Sequence, residues 1–259
     1  MTRNGARWRA RLPAFGLFLA HASIYGAWQI DDAGISFAYA RNLGEGFGLV
    51  AQPGVPAVEG FSNPLWVLMC ALFSVAGIFH PLWTPKLLAV LAIFGVFVGL
   101  DRILEKAQVG TLATAFALSL LSTQPAFVIW SISGLENPIY ALAGVALLAL
   151  ALDRPLEGGQ RVRTAVGAGI SAAALALTRP EGIVFSALWP LVAAPGVIRA
   201  RGASRLPKLR EMGRLVAAYA AAFALPVLAY LLFRRLYFGD WVPNTYYAKG
   251  GPTLTGLSG

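Results

Sequence analysis

From Gly110 to Trp130 the chain runs through twenty-one residues without a single charge, and that stretch limits what the chain can become. A run of roughly 17–25 apolar residues is long enough to cross a bilayer as a helix. Shorter apolar runs recur along the sequence, separated by Gly, Pro and charged residues. Of 259 residues, 57% are hydrophobic and 13% charged, whereas a soluble domain carries far more charge. The expected fold is an all-α polytopic membrane protein.

The net charge of +9 would suggest nucleic acid in a soluble protein. In a membrane protein the simpler reading is that cytoplasmic loops collect Lys and Arg, so membrane lipid is an expected partner and nucleic acid is not. Cys70 is the only cysteine. An intrachain disulfide and a thiolate metal cluster are therefore excluded. His21 and His80 are far apart in sequence, which argues against a zinc site built on a histidine pair.

Charge distribution gives the topology. Expected spans are 12–29, 85–100, 110–130, 138–152, 164–177, 182–198 and 215–233, seven in all. Residues 30–84 then form a first outer loop, and 234–259 an outer C-terminal segment. This arrangement puts fifteen of the 21 Lys and Arg on the inner face and six on the outer. The apolar segment 64–79 is bounded by Pro64 and Pro81 and is short for a span. If it crossed, eleven of those fifteen would move outside, against the positive-inside rule. It is therefore expected to lie on or dip into the outer leaflet. Residues 12–29 could be mistaken for a cleaved signal peptide, but Tyr25 to Trp28 makes a poor cleavage site.

The stretch IDDAGISFAYARNLGEGFGLVAQPGVPAVEGFSNPLW, residues 30–66, begins where the first span stops. Asp32 to Glu45 reads as a short interfacial helix with Ile35, Tyr39 and Leu43 at helical spacing. Its N-terminal dipole favours Asp31 and Asp32, and Gly44 and Gly46 end it. As a helix cap and a topological stop, one acid would suffice. Two adjacent acids repel, and holding them beside lipid calls for a cation or an acceptor hydroxyl. One carboxylate can accept a proton from an attacking hydroxyl, and both can bind a divalent cation through oxygen.

The seven-span topology brings SGLENP (residues 133–138), TRPEG (178–182) and GDWVPNTYYAK (239–249) to the same outer face. Glu59 is either solvated loop surface or part of the acidic rim. Glu136 either caps the next helix or faces Asp32 and shares a cation with it. Arg179 and Glu181 pair with each other, or Arg179 binds phosphate, since a guanidinium fork fits phosphate oxygens. Arg234, Arg235 and Lys249 are further phosphate candidates, although Arg234 and Arg235 also suit snorkelling at a helix end. Asn244, Tyr246 and Tyr247 line a sugar site or form an interfacial aromatic belt. Arg41 is placed to pair with Glu45 four residues on. His21 is expected to face the bundle interior with a hydrogen bond. No Gly-rich nucleotide loop is present, so a donor reached from outside is better matched by a lipid-linked sugar phosphate.

DDAGISFAYARNLGEGFGLV, VEGFSNPLW, SGLENPIYAL, TRPEG and FGDWVPNTYYAK, in that order, resemble the polyprenyl-phosphate-dependent glycosyltransferases of the C-type (GT-C) fold. Within that group the sequence is most similar to the actinobacterial cell-wall arabinofuranosyltransferase type and its uncharacterised bacterial relatives. The resemblance covers residues 12–249. It implies a catalytic role for Asp32 with Asp31 beside it, and for Glu59. It also implies a metal role for Asp32 and Glu136 and a substrate-binding role for Arg41, Arg179, Glu181, Asn244, Tyr246 and Lys249. The implied reaction is an inverting transfer of a sugar from polyprenyl phosphate to a glycan, lipid or protein acceptor of the cell envelope. The phosphate charge would be stabilised by a divalent cation such as Mg or Mn, or by Arg and Lys. The implied location is the bacterial plasma membrane, with the site on the extracytoplasmic side. Family members usually continue into further spans, so the chain reads as the N-terminal seven-span module. Two other readings compete: a non-catalytic relative that binds lipid-linked sugar or acts as a scaffold, and a secondary transporter. The transporter would need inverted repeats and mid-membrane charges, whereas these acids sit at span ends.

Overall fold

The computed structural model describes residues 3–153, 158–192 and 205–248. Among them every regular element is helical. The elements are α1 (Arg3–Ser23), α2 (Ala33–Gly44), α3 (Pro64–Val75), α4 (Trp83–Lys106), α5 (Thr111–Thr123), α6 (Pro125–Ile132), α7 (Asn137–Ala151) and α8 (Gly158–Thr178). A 3-10 segment, Pro180–Ala187, comes next, followed by α9 (Arg205–Phe238) and α10 (Asn244–Ala248).

Among the described residues two helices are long and apolar enough to cross a membrane alone, Trp83–Lys106 and the Leu209–Phe238 part of α9. At about 1.5 Å per residue each exceeds the roughly 30 Å hydrocarbon core. The uncharged stretch Gly110 to Trp130 is not one straight helix. It breaks into α5 and α6, bent by 66°. The cause is local: Pro125 has no N–H to donate and disfavours helical backbone at Gln124, which sits at ψ 112°. If this bent pair is one span, the total is three. The other apolar helices, α7 and the stretch Pro180–Val192, are short. So the all-helical membrane character holds, and two to three candidate spans are seen where seven were expected.

Boundaries differ for physical reasons. The first helix starts at Arg3, well before residue 12, and ends at Ser23. Arg11 is accommodated inside this helix because its guanidinium meets the buried carboxylate of Asp101 on α4. The expected span 182–198 opens as a 3-10 segment after Pro180, and residues 193–198 lie outside the described residues.

The helices pack as a chain of neighbours. α1 lies between α5 and α4, α4 packs on α7, α7 on α8, and α8 on α9. Phe18, Ile93, Phe97, Leu118 and Val128 form one core. Leu147, Ala165, Ala168, Ala172, Leu175 and Tyr219 form another. Small residues let the second core close: a Cβ on Gly169 of α8 would come within 2.8 Å of the Ala222 Cβ of α9, the kind of close approach that helix packing in lipid favours. His21 turns inward as expected, its Nδ1 3.0 Å from the Ser122 carbonyl.

α2 and α3 pack against each other. The twelve residues of α3 reach only about 18 Å, too short to cross. Trp66, Cys70 and Ala71 of α3 bury against Ala33, Phe37 and Ala40 of α2. That stripe differs from the one read in the sequence: Ile35 is exposed, because the small residues at 33 and 40 face the partner helix.

Candidate functional site

Asp32 stands at the N-cap of α2 and makes no side-chain cap bond. Asp31 and Asp32 are both exposed. Neither carboxylate takes a hydrogen bond or ion pair from a described residue. The backbone around them is anchored nevertheless. Ile30 N–H donates to the Ser133 carbonyl at 3.0 Å, and Trp66 Nε1 donates to the Gly134 carbonyl at 3.1 Å. Gly134 sits at φ 89°, where a side chain is disfavoured, and a Cβ there would come within 3.0 Å of the Ala33 Cβ. The SGLE turn and the start of α2 are therefore pressed together.

Glu136 is 5% exposed. Its Oε1 accepts from Arg179 Nε at 2.8 Å, and its Oε2 from Asn63 Nδ2 at 2.8 Å. Asn63 in turn exchanges hydrogen bonds with Ser36 of α2 at 3.1 and 3.3 Å. Arg179 also reaches Glu181 at 3.5 Å, the pairing the sequence suggested. So Glu136 turns to an amide and a guanidinium, while Asp32 stays exposed. A cation shared by those two carboxylates does not fit this arrangement, since Arg179 already neutralises Glu136. Among the described residues no cluster of three or more His, Cys, Asp or Glu is placed to hold a metal.

Glu59 is 2% exposed. Tyr230 Oη donates to its Oε1 at 2.6 Å, and Arg234 Nη2 does so at 3.1 Å. Arg234 Nε lies 2.6 Å from Oε2, a close ion contact in which neither atom completes a hydrogen bond. The backbone carrying Glu59 is fixed from both sides. Tyr39 Oη donates to the Val58 carbonyl at 2.5 Å and accepts from Gly60 N–H at 2.9 Å. Asn244 N–H donates to the Glu59 carbonyl at 2.9 Å. Burial pushes the Tyr39 phenol above its usual value; the Gly60 hydrogen bond opposes this and the Glu59 charge adds to it. Arg234 also donates to the Trp241 carbonyl at 3.2 Å and lies over the Tyr230 ring at 5.1 Å.

A cavity of about 680 Å³ opens between the 3-10 segment, the C-terminal half of α9 and α10. Ile183, Val227 and Leu231 make an apolar wall, and Glu181, Arg234 and Tyr246 supply polar groups. The sequence-expected residues thus divide. Glu181 and Tyr246 line the cavity. Glu59 and Asn244 are joined behind it, and Glu136 and Arg179 link it to α2. Asp31 and Asp32 stand exposed at the end of α2. Arg41 is exposed and 3.9 Å from Glu45, outside this network. Lys249 lies outside the described residues.

Sequence reasoning passed over Tyr230, Asn63 and Ser36. Tyr230 was detectable as a lone hydroxyl in the apolar run 225–233, where an intramembrane polar group needs a partner. Asn63 had a weaker signal, as the residue before a helix that opens with Pro64. Asp101, fully buried near the C-terminal end of α4, was also passed over; Arg11 Nε donates to its Oδ2 at 2.5 Å. No family model matches the chain, and no curated protein or solved structure matches it either.

Proposed function

We propose that the chain is an inverting glycosyltransferase that moves a sugar from a polyprenyl-phosphate donor to a cell-envelope acceptor. In this reading the module has seven spans, and the site faces the extracytoplasmic side of a bacterial plasma membrane. The observation that carries it is convergence. Four polar motifs far apart in sequence join through Asn63, Glu136, Arg179 and Glu59 beside a cavity with an apolar wall and a polar rim. A lipid-linked sugar phosphate has the same division into an apolar chain and a charged head.

The acceptor hydroxyl oxygen bonds to the anomeric carbon as the bond from that carbon to the phosphate oxygen breaks. The bonding pair leaves with the polyprenyl phosphate. The hydroxyl proton passes to the carboxylate of Asp32, with Asp31 beside it, since an unpaired carboxylate can act as a general base. Arg179 and Arg234, with Lys249, offset the charge on the leaving phosphate. Asn244 and Tyr246 contact the sugar and Arg41 the acceptor. Glu59, already held by Tyr230 and Arg234, serves to fasten the loop rather than to take the proton.

A second reading, a subunit that binds lipid-linked sugar without transferring it, draws on one observation. Arg179 and Arg234 are both already paired with carboxylates, so much of their charge is balanced before a phosphate arrives. The two readings separate in one experiment. Purified protein in lipid is given a panel of polyprenyl-phosphate sugars, and transfer and donor binding are measured for wild type and Asp32→Asn. Transfer lost in the variant while binding persists supports the enzyme. Binding without transfer in both proteins supports the subunit, and no binding at all removes both readings.

A further inference from the structure

We propose that Asn63 is the positioning residue of this site. It holds the helix that carries Asp31 and Asp32 in register with Glu136 and, through Glu136, with Arg179 at the cavity rim. What this positioning serves rests on the proposed function; the geometry does not.

Asn63 is 9% exposed and is used on every side. Its backbone carbonyl accepts from two N–H groups in the first turn of α3, Trp66 at 3.0 Å and Val67 at 3.2 Å. Its side chain donates to Glu136 Oε2 at 2.8 Å and engages the Ser36 hydroxyl. Ser36 lies one helical turn beyond Asp32, on the buried face of α2. A carboxamide suits this place because it donates to a carboxylate while also accepting from a hydroxyl. An ionised carboxylate has the same shape and no donor. Around this point stand Glu136, Arg179 and Glu181, with Tyr140 of α7 within electrostatic reach of the last two. Asp31 and Asp32 lie at the near end of α2.

The chain carries its own reporter of α2 placement. Cys70, the only cysteine, is 0% exposed and packs on α3 against Ala33, Phe37 and Ala40 of α2. Burial pushes its thiol up to about 12, so alkylation must wait for α2 to open.

The experiment labels the full chain in lipid with N-ethylmaleimide, comparing Asn63→Asp and Asn63→Ala with wild type at the same pH. A carboxyl introduced beside Glu136 resists ionising, because two close carboxylates share one proton. Near roughly pH 5.5 it is protonated and donates, so Asn63→Asp should label at the wild-type rate, which also shows that the variant folds. Near roughly pH 8 labelling should rise about ten- to hundredfold, as a buried charge-assisted hydrogen bond is lost. Asn63→Ala should be fast at both pH values. Sugar transfer by Asn63→Asp should lose kcat over the same pH range with little change in KM for the donor. Wild-type labelling rates in both variants near pH 8 would overturn the proposal. So would Asn63→Asp labelling raised equally at both pH values. The pH-dependent labelling, with no transfer even from wild type, would uphold the positioning role and refute the proposed reaction.

Discussion

Four acids of this molecule, Asp31, Asp32, Glu59 and Glu136, stand in two different conditions. Glu59 and Glu136 are buried and held by arginines, at 2% and 5% exposure. Asp31 and Asp32 are exposed and take no hydrogen bond or ion pair from a described residue. A buried carboxylate already given to a guanidinium has its charge committed to the fold. An exposed one keeps its lone pairs for a proton or a substrate. By this comparison Glu59 and Glu136 hold the fold together, and under the proposed function Asp31 and Asp32 are the acids left for chemistry.

The comparison breaks most readily at Glu59. Glu59→Ala leaves Arg234 buried without its counter-charge, and removing one member of a buried pair costs about 3–5 kcal/mol. A drop of that size in unfolding free energy, measured in detergent or lipid, is expected. A change near zero would show that the pair carries no structural charge balance. Glu136→Ala should cost somewhat less, about 2–3 kcal/mol, because Arg179 is half-exposed and keeps Glu181. Overpacking the α8–α9 contact is a control away from the acids. Gly169→Val should destabilise by about 1–3 kcal/mol, read as a lower unfolding midpoint with unaltered donor binding. Exposed acids belong at the other extreme. Asp31→Asn should shift stability by no more than about 0.5 kcal/mol, and so should Arg41→Ala, whose partner Glu45 is solvent-exposed.

Tyr39 sharpens the comparison through alkaline pH. Its folded-state phenol titrates above the usual value, chiefly through burial, so the folded state holds the proton more tightly than the unfolded one. The contribution to stability is therefore fully present below the unfolded value near about 10 and falls as pH rises toward the folded value. Tyr39→Phe should weaken the 58–60 loop at neutral pH and lessen the alkaline loss. A pH profile between about 8 and 11 distinguishes the two effects; parallel curves for both proteins would contradict this role of Tyr39.

Much of the frame could be read from residue order. Periodicity and the Gly pair at 44 and 46 located α2 almost to its ends. The shortness of the apolar segment 64–79 matches α3, whose twelve residues are too few to cross by length. Composition alone was less able to count spans. A proline changes local backbone without changing hydropathy, so Pro125 broke an uncharged run that reads as continuous. Pairings across the bundle were the least legible. Glu59 meets Tyr230 at a sequence separation of 171, and Glu136 meets Arg179 at 43. A single sequence shows that an acid near a membrane needs a partner, but the choice among several arginines is made by helix packing. The division between buried and exposed acids followed from that packing and had no local signature.

The most direct measurement pairs stability with chemistry in the double variant Asp31→Asn, Asp32→Asn, in lipid, with a polyprenyl-phosphate sugar as donor. The account predicts an unfolding free energy within about 0.5 kcal/mol of wild type, retained donor binding, and sugar transfer reduced by about a hundredfold or more. Transfer at the wild-type rate, or a loss of stability as large as that of Glu59→Ala, would contradict it.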